Sequence, residues 1–128
     1  MKEQTILIVD DQKGIRIMLC EALKDEMFNV CSASNGIEAI AAMQKVGPDL
    51  ILLDLKMPGM SGFDVHKELT ILNPHVPIIL MTAYADTNVI NKLKQQGIKY
   101  LLPKPFDLGD LKKMISEILG PKEEKVHA

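Results

Sequence analysis

Three four-residue runs in this chain, Ile6-Leu7-Ile8-Val9, Leu50-Ile51-Leu52-Leu53 and Ile78-Ile79-Leu80-Met81, are apolar at every position. An amphipathic helix keeps a polar side and a strand with one wet face alternates, so short runs without a polar position fit strands covered on both faces. Two further runs, Asn29 to Ala33 and Ile98 to Leu102, are more mixed or shorter and are expected nearer the sheet edges. Between the runs, apolar residues fall at helical spacing: Ile15, Leu19, Ala22 and Leu23, then Ile37, Ala41 and Met43 to Val46, then Val65, Leu69 and Leu72. A fourth helix is expected from about Asp86 to Gln96 with Gly97 as its stop. A fifth is expected from Asp107 to Leu119, capped by Asp107 and closed by Gly120-Pro121. Strand and helix alternating throughout predict an α/β fold: one parallel sheet, right-handed crossovers and helices on both faces.

The 128 residues, 47% of them apolar, suffice for one core and hardly for two, so residues 1–120 are read as one domain and 121–128 as a polar tail. Fifteen basic and 17 acidic residues are interspersed, which leaves no block of positive charge to hold a nucleic-acid backbone. Ile6 to Val9 is far too short for a membrane span or a signal-peptide core, and the expected location is the cytoplasm. Cys20 and Cys31 lack the spacing of a metal or disulfide pair and are read as buried free thiols. His66, His75 and His127 form no ligand set and are read as surface residues.

In a parallel sheet of this kind the carboxyl ends of the strands form the binding edge. The first strand ends in Asp10-Asp11, the third in Asp54, the fourth in Thr82, and the fifth runs into Leu102-Pro103-Lys104-Pro105. Each alone has an ordinary explanation: an Asp after a strand forms turns, a lysine is solvated, and a threonine suits a strand. Jointly they put three carboxylates, a hydroxyl and an ammonium on one rim. Crowded carboxylates repel unless neutralised, and a hard all-oxygen set suits Mg²⁺ or Mn²⁺. Mg²⁺ held by one or two carboxylates usually takes phosphate oxygens as well, and Thr82 and Lys104 supply a hydrogen-bond donor and a point charge for such a group. Asp54, alone at the end of the middle strand, is the candidate nucleophile for an acyl phosphate. Gly59 and Gly62 are read as backbone turns that loop over the site.

ILIVDD, LLDLKMPGMSG, MTAY and KPF, in this order and spacing, resemble the receiver domain of bacterial response regulators over Ile6 to about Leu119. The resemblance implies a doubly wound, flavodoxin-like sheet of five parallel strands in the order 2-1-3-4-5. It implies phosphorylation of Asp54 by a sensor histidine kinase or a histidine phosphotransferase. Asp11, Asp54 and the backbone carbonyl of Lys56 would hold the cation, with Asp10 assisting through water, and Lys104-Pro105 would be a cis bond. DDQKGIR, MTAY and KPFD resemble most the branch of single-domain sporulation phosphorelay intermediates of endosporulating bacilli. That likeness implies docking of a kinase or four-helix phosphotransferase around Gln12, Gly14, Ile15, Met18, Pro105 and Phe106. An apolar Ile15-Met18 patch beside the rim suits a docking helix, and ordinary packing of the helix on the sheet accounts for the same two residues equally well.

Receivers commonly carry an aromatic residue three positions before the lysine, where this chain has Leu101 beside Tyr100. Tyr84, two residues after Thr82, is an alternative gate. No effector segment is evident after Leu119, so the expected roles are transfer of the phosphoryl group onward or docking of the phosphorylated form on a target. No small-substrate turnover is expected: aspartyl phosphatases place a second aspartate two residues after the nucleophile, and here that position is Lys56. A flavin phosphate would meet Asp10 and Asp11 in the first loop.

Overall fold

The computed structural model describes residues 3–83 and 87–120. Five strands, β1 (Thr5–Val9), β2 (Asn29–Ala33), β3 (Leu50–Asp54), β4 (Ile78–Thr82) and β5 (Tyr100–Pro103), alternate with five helices. The helices are α1 (Lys13–Asp25), α2 (Gly36–Val46), α3 (Gly62–Leu72), α4 (Thr87–Gln95) and α5 (Leu108–Leu119). All strand pairs are parallel and the order is β2-β1-β3-β4-β5. The three all-apolar runs are thus the central strands, and the two mixed runs are the edges.

Because successive strand residues face opposite sides, each central strand feeds two cores. On one side Ile6, Ile8, Leu50, Leu52, Ile79 and Met81 pack under Leu19 and Leu23 of α1 and Leu111 and Ile115 of α5. On the other, Leu7, Val9, Ile51, Leu53 and Leu80 meet Ala39 and Met43 of α2, Val65 and Leu69 of α3 and Leu93 of α4. Residues 6–9 and 50–53 are wholly buried.

Helix ends follow local chemistry. Asn35, Ser61 and Asp107 each accept a hydrogen bond from the backbone N–H three residues on, which satisfies one of the open donors of the first turn. Gly97 has φ +87°, a conformation that stops a helix at little cost to glycine, and α4 ends just before it at Gln95. The expected start of that helix at Asp86, and the tail 121–128, lie outside the described residues.

Four expectations are corrected. In α2, Ile37 is 78% exposed and Ala41 and Val46 are also exposed, while Gly36, Ala39 and Met43 face inward. In α3, Val65 and Leu69 are buried but Leu72 is exposed. Cys20 and Cys31 are free but only half-buried, with burial raising both thiol pKa values. His66 is half-buried rather than on the surface, and that burial lowers its pKa. His75 is exposed as expected, and His127 lies outside the described residues.

Candidate phosphoacceptor and metal centre

The site is assembled by strand register. Val9 pairs with Leu53, so Asp10 and Asp54 leave adjacent strands at the same level. Asp54 pairs with Met81 and Thr82 with Pro103, which brings the ends of β4 and β5 to that edge. The Lys104 N–H donates to the Thr82 carbonyl at 2.6 Å, after which a cis Lys104-Pro105 bond follows. Asp10, Asp54 and Thr82 are the buried polar residues of the described chain. Asp11 is exposed, as is Lys56.

Carboxylate oxygens of Asp10, Asp11 and Asp54 lie within 4.8 Å of one another. Lys104 Nζ donates to Asp54 Oδ1 at 3.2 Å and stands 3.5 Å from Asp10 Oδ2. At 3.5 Å the ion pair with Asp10 lacks hydrogen-bond geometry, and Oδ2 is a buried side-chain oxygen without a hydrogen-bond partner. Burial first, and the Asp10 charge second, raise the pKa of Asp54, while Lys104 and the Lys56 backbone amide pull it back. Lys104 thus meets Asp10 and Asp54, while Asp11 adds a third carboxylate to the same rim and its repulsion to theirs.

The donor set passes the chemical test for a hard divalent cation. It is all oxygen, crowded within the span of one ion, and includes a buried carboxylate oxygen that no hydrogen bond satisfies. Gly62, expected to form a backbone turn over the site, is instead the first residue of α3. A Cβ there would lie 2.5 Å from Leu55 Cα and 2.6 Å from the Leu55 carbonyl oxygen, so α3 starts where only glycine can cross the end of β3. Gly59, at φ +82°, makes the turn expected of it.

The sequence matches the response regulator receiver domain over residues 6–116. The chain belongs to the response regulator receiver family. This receiver is 38% identical, over 95% of its own length and 98% of the relative's, to sporulation initiation phosphotransferase F of Bacillus subtilis. It is 33% identical to the DNA-binding transcriptional regulator NtrC of Salmonella typhimurium but spans only 27% of that protein. The response regulator TrrA of Thermotoga maritima, solved in complex with Mg²⁺-BeF, superposes with a TM-score of 0.80 at 33% identity, covering 90% of this receiver and 98% of that chain.

Of the expected docking residues, Gln12, Gly14 and Pro105 are exposed and Met18 is 42% exposed, whereas Ile15 and Phe106 are half-buried against the core. Leu101, in the position where receivers commonly carry an aromatic residue, also packs against the core, and Tyr84 lies outside the described residues. The loop linking β2 to α2 is closed by side-chain bonds that the apolar pattern does not reveal. Ser34 N–H and Oγ both donate to Glu38 Oε1 at 2.8 Å, and the Glu38 N–H donates to Asn35 Oδ1 at 2.9 Å. The signal was available in the Asn35-to-Glu38 spacing of a capping box. Among the described residues no helix is long and apolar enough to cross a membrane.

Proposed function

We propose that this receiver accepts a phosphoryl group from a phosphohistidine donor onto Asp54 and returns it to a histidine on a phosphotransferase, as one step of a two-component phosphorelay in the cytoplasm. The observation that carries the reading is the buried Asp54 carboxylate, 3.2 Å from Lys104 and within an ion's span of Asp10 and Asp11. The near end-to-end match with a sporulation phosphotransferase supports the transfer role and a sensor histidine kinase as the source.

In the transfer, a lone pair of Asp54 forms the new O–P bond as the N–P bond of the donor breaks. The imidazole leaves with that electron pair and takes up a proton. Asp54 must be ionised to attack, and Lys104 works toward this by offsetting burial and the Asp10 charge. Lys104 then faces the added negative charge, and the Thr82 hydroxyl would donate to a phosphoryl oxygen. Asp10, Asp11 and Asp54, with the Lys56 carbonyl, would hold Mg²⁺. When bound it supplies the positive charge that lets a further anion enter the rim. Gln12, Gly14, Ile15, Met18, Pro105 and Phe106 form the surface offered to the partner, apolar enough to seat a helix beside the rim.

Incubation with Mg²⁺ and a phosphohistidine donor is expected to give an acid-stable, base-labile label that disappears in Asp54→Ala. A label that persists in that variant refutes the reading. Return of the label to a histidine phosphotransferase separates a relay from a regulator that acts only by binding a target.

A further inference from the structure

Asp10 is fixed on three sides by groups that belong to neither a cation nor a phosphoryl group. Its own N–H donates to the Ala33 carbonyl at 3.1 Å, at the end of β2. The Gln12 N–H donates to its Oδ1 at 2.9 Å. The third restraint comes from α1, where Arg16 Nη1 donates to the Asp10 carbonyl oxygen at 2.8 Å. Only Oδ2 is left to face the other carboxylates and Lys104. Arg16 is half-buried and is itself anchored, since its N–H donates to the Gln12 carbonyl at 3.1 Å.

The carbonyl that Arg16 grips belongs to the peptide joining Asp10 to Asp11. Holding that peptide plane sets the direction in which the Asp11 side chain leaves the loop. The constraint matters because the three carboxylates repel one another, and an unrestrained exposed loop would relax by swinging Asp11 outward. A charged donor on a buried carbonyl is a strong restraint, and a planar guanidinium holds its direction better than a flexible ammonium.

We propose that Arg16 is a positioning residue for the cation: through the Asp10 carbonyl it holds Asp10 and Asp11 in the arrangement that binds Mg²⁺, without touching the ion or the phosphoryl group. This rests on the reading of the rim as a magnesium-assisted phosphoacceptor. It also assigns a task to the arginine six residues beyond Asp10 in the DDQKGIR segment.

The test compares the full chain with Arg16→Gln and Arg16→Lys by Mg²⁺ titration, followed through backbone amide shifts, alongside labelling of Asp54 by a small phosphoramidate. Arg16→Gln is expected to bind Mg²⁺ about tenfold more weakly, the usual scale for losing a group that orients a metal ligand. Arg16→Lys should fall between it and the wild type. At saturating Mg²⁺ the phosphoramidate rate of both variants should return to the wild-type value, a recovery that a general loss of structure would not give. Unchanged Mg²⁺ affinity in Arg16→Gln overturns the proposal. So does a defect seen with a protein donor but not with phosphoramidate, which would make Arg16 a partner contact. Should Arg16→Gln fail to fold, Arg16→Lys carries the same comparison. A wild-type chain that neither binds Mg²⁺ nor labels at Asp54 refutes the underlying reading instead.

Discussion

Asp10 is the residue on which stability and function pull hardest against each other. It is wholly buried and one of its oxygens lacks a hydrogen-bond partner, yet it stands beside a second buried carboxylate. Asp10→Asn keeps the shape and removes one of the like charges. In Mg²⁺-free buffer it is expected to stabilise the fold by about 1 kcal/mol, the usual gain when a strained functional residue is relaxed. The same variant should lose most of the rise in melting temperature that Mg²⁺ gives the wild type, because that rise measures binding to the folded state alone. Melting curves of both proteins in chelator and in Mg²⁺ check both halves. Lys104→Ala is expected to lower the rate of Asp54 phosphorylation about 100-fold at saturating donor, the scale of removing one placed donor from a developing charge. Gel-resolved labelling kinetics would show it. These residues were legible because each is a polar break at the end of an apolar run. Arg16 was not, since it acts on a backbone carbonyl, and a carbonyl leaves no mark in a side-chain pattern.

At the level of elements, the central strands could be read directly because a run buried on both faces has only one periodicity to show. Helix α2 was misread for a physical reason. Its large apolar residues Ile37 and Val46 point outward, and its buried line is made of Gly36, Ala39 and Met43, of which Gly36 and Ala39 are small and Gly36 lets α2 approach α3 closely. A Cβ on Gly36 would lie 2.7 Å from Val65 Cγ2 and 2.8 Å from Met60 Sδ; the Met60 chain is flexible and Val65 is buried and stiff, but neither atom is backbone. At Gly62 the obstacles are backbone atoms of Asp54 and Leu55, which cannot move without displacing the nucleophile. Gly62→Ala is therefore expected to cost about 3 kcal/mol, the upper range for forcing a methyl group into packed surroundings. Gly36→Ala should cost clearly less, because side chains can yield and alanine favours the helix. Urea denaturation of the two variants decides the point, and equal costs would show that the α3 crossing is more pliable than its contacts suggest.

For the molecule as a whole, residues that choose the fold and residues that choose the chemistry occupy different ends of the same strands. The two cores run beneath α1 and α5 on one side and beneath α2, α3 and α4 on the other, and the rim sits above both. The apolar runs therefore made the topology legible, whereas partial burial of a side chain between helices was not legible. His66 is the case in point: from sequence it is a polar residue on a helix, and in the fold it is half-buried, with His75 and Lys99 lining the cleft on one side of it and Asp64 and Lys67 the cleft on the other. Burial lowers its pKa from the ordinary 6.5. A histidine depressed in the folded state binds its proton more readily when unfolded, so it costs the fold nothing well above pH 6.5 and destabilises it as pH falls below that value. The loss grows by at most about 1.4 kcal/mol per pH unit and stops below the folded-state pKa. Asp54, raised by burial, works in the opposite sense, penalising the fold as pH rises above the ordinary carboxylate range. The two are separated by difference: His66→Asn should lose less stability than the wild type between pH 7.5 and pH 5.5, while the Asp54 contribution is common to both. Parallel denaturation curves with no gap between the proteins over that interval would show that His66 is solvated well enough to titrate normally.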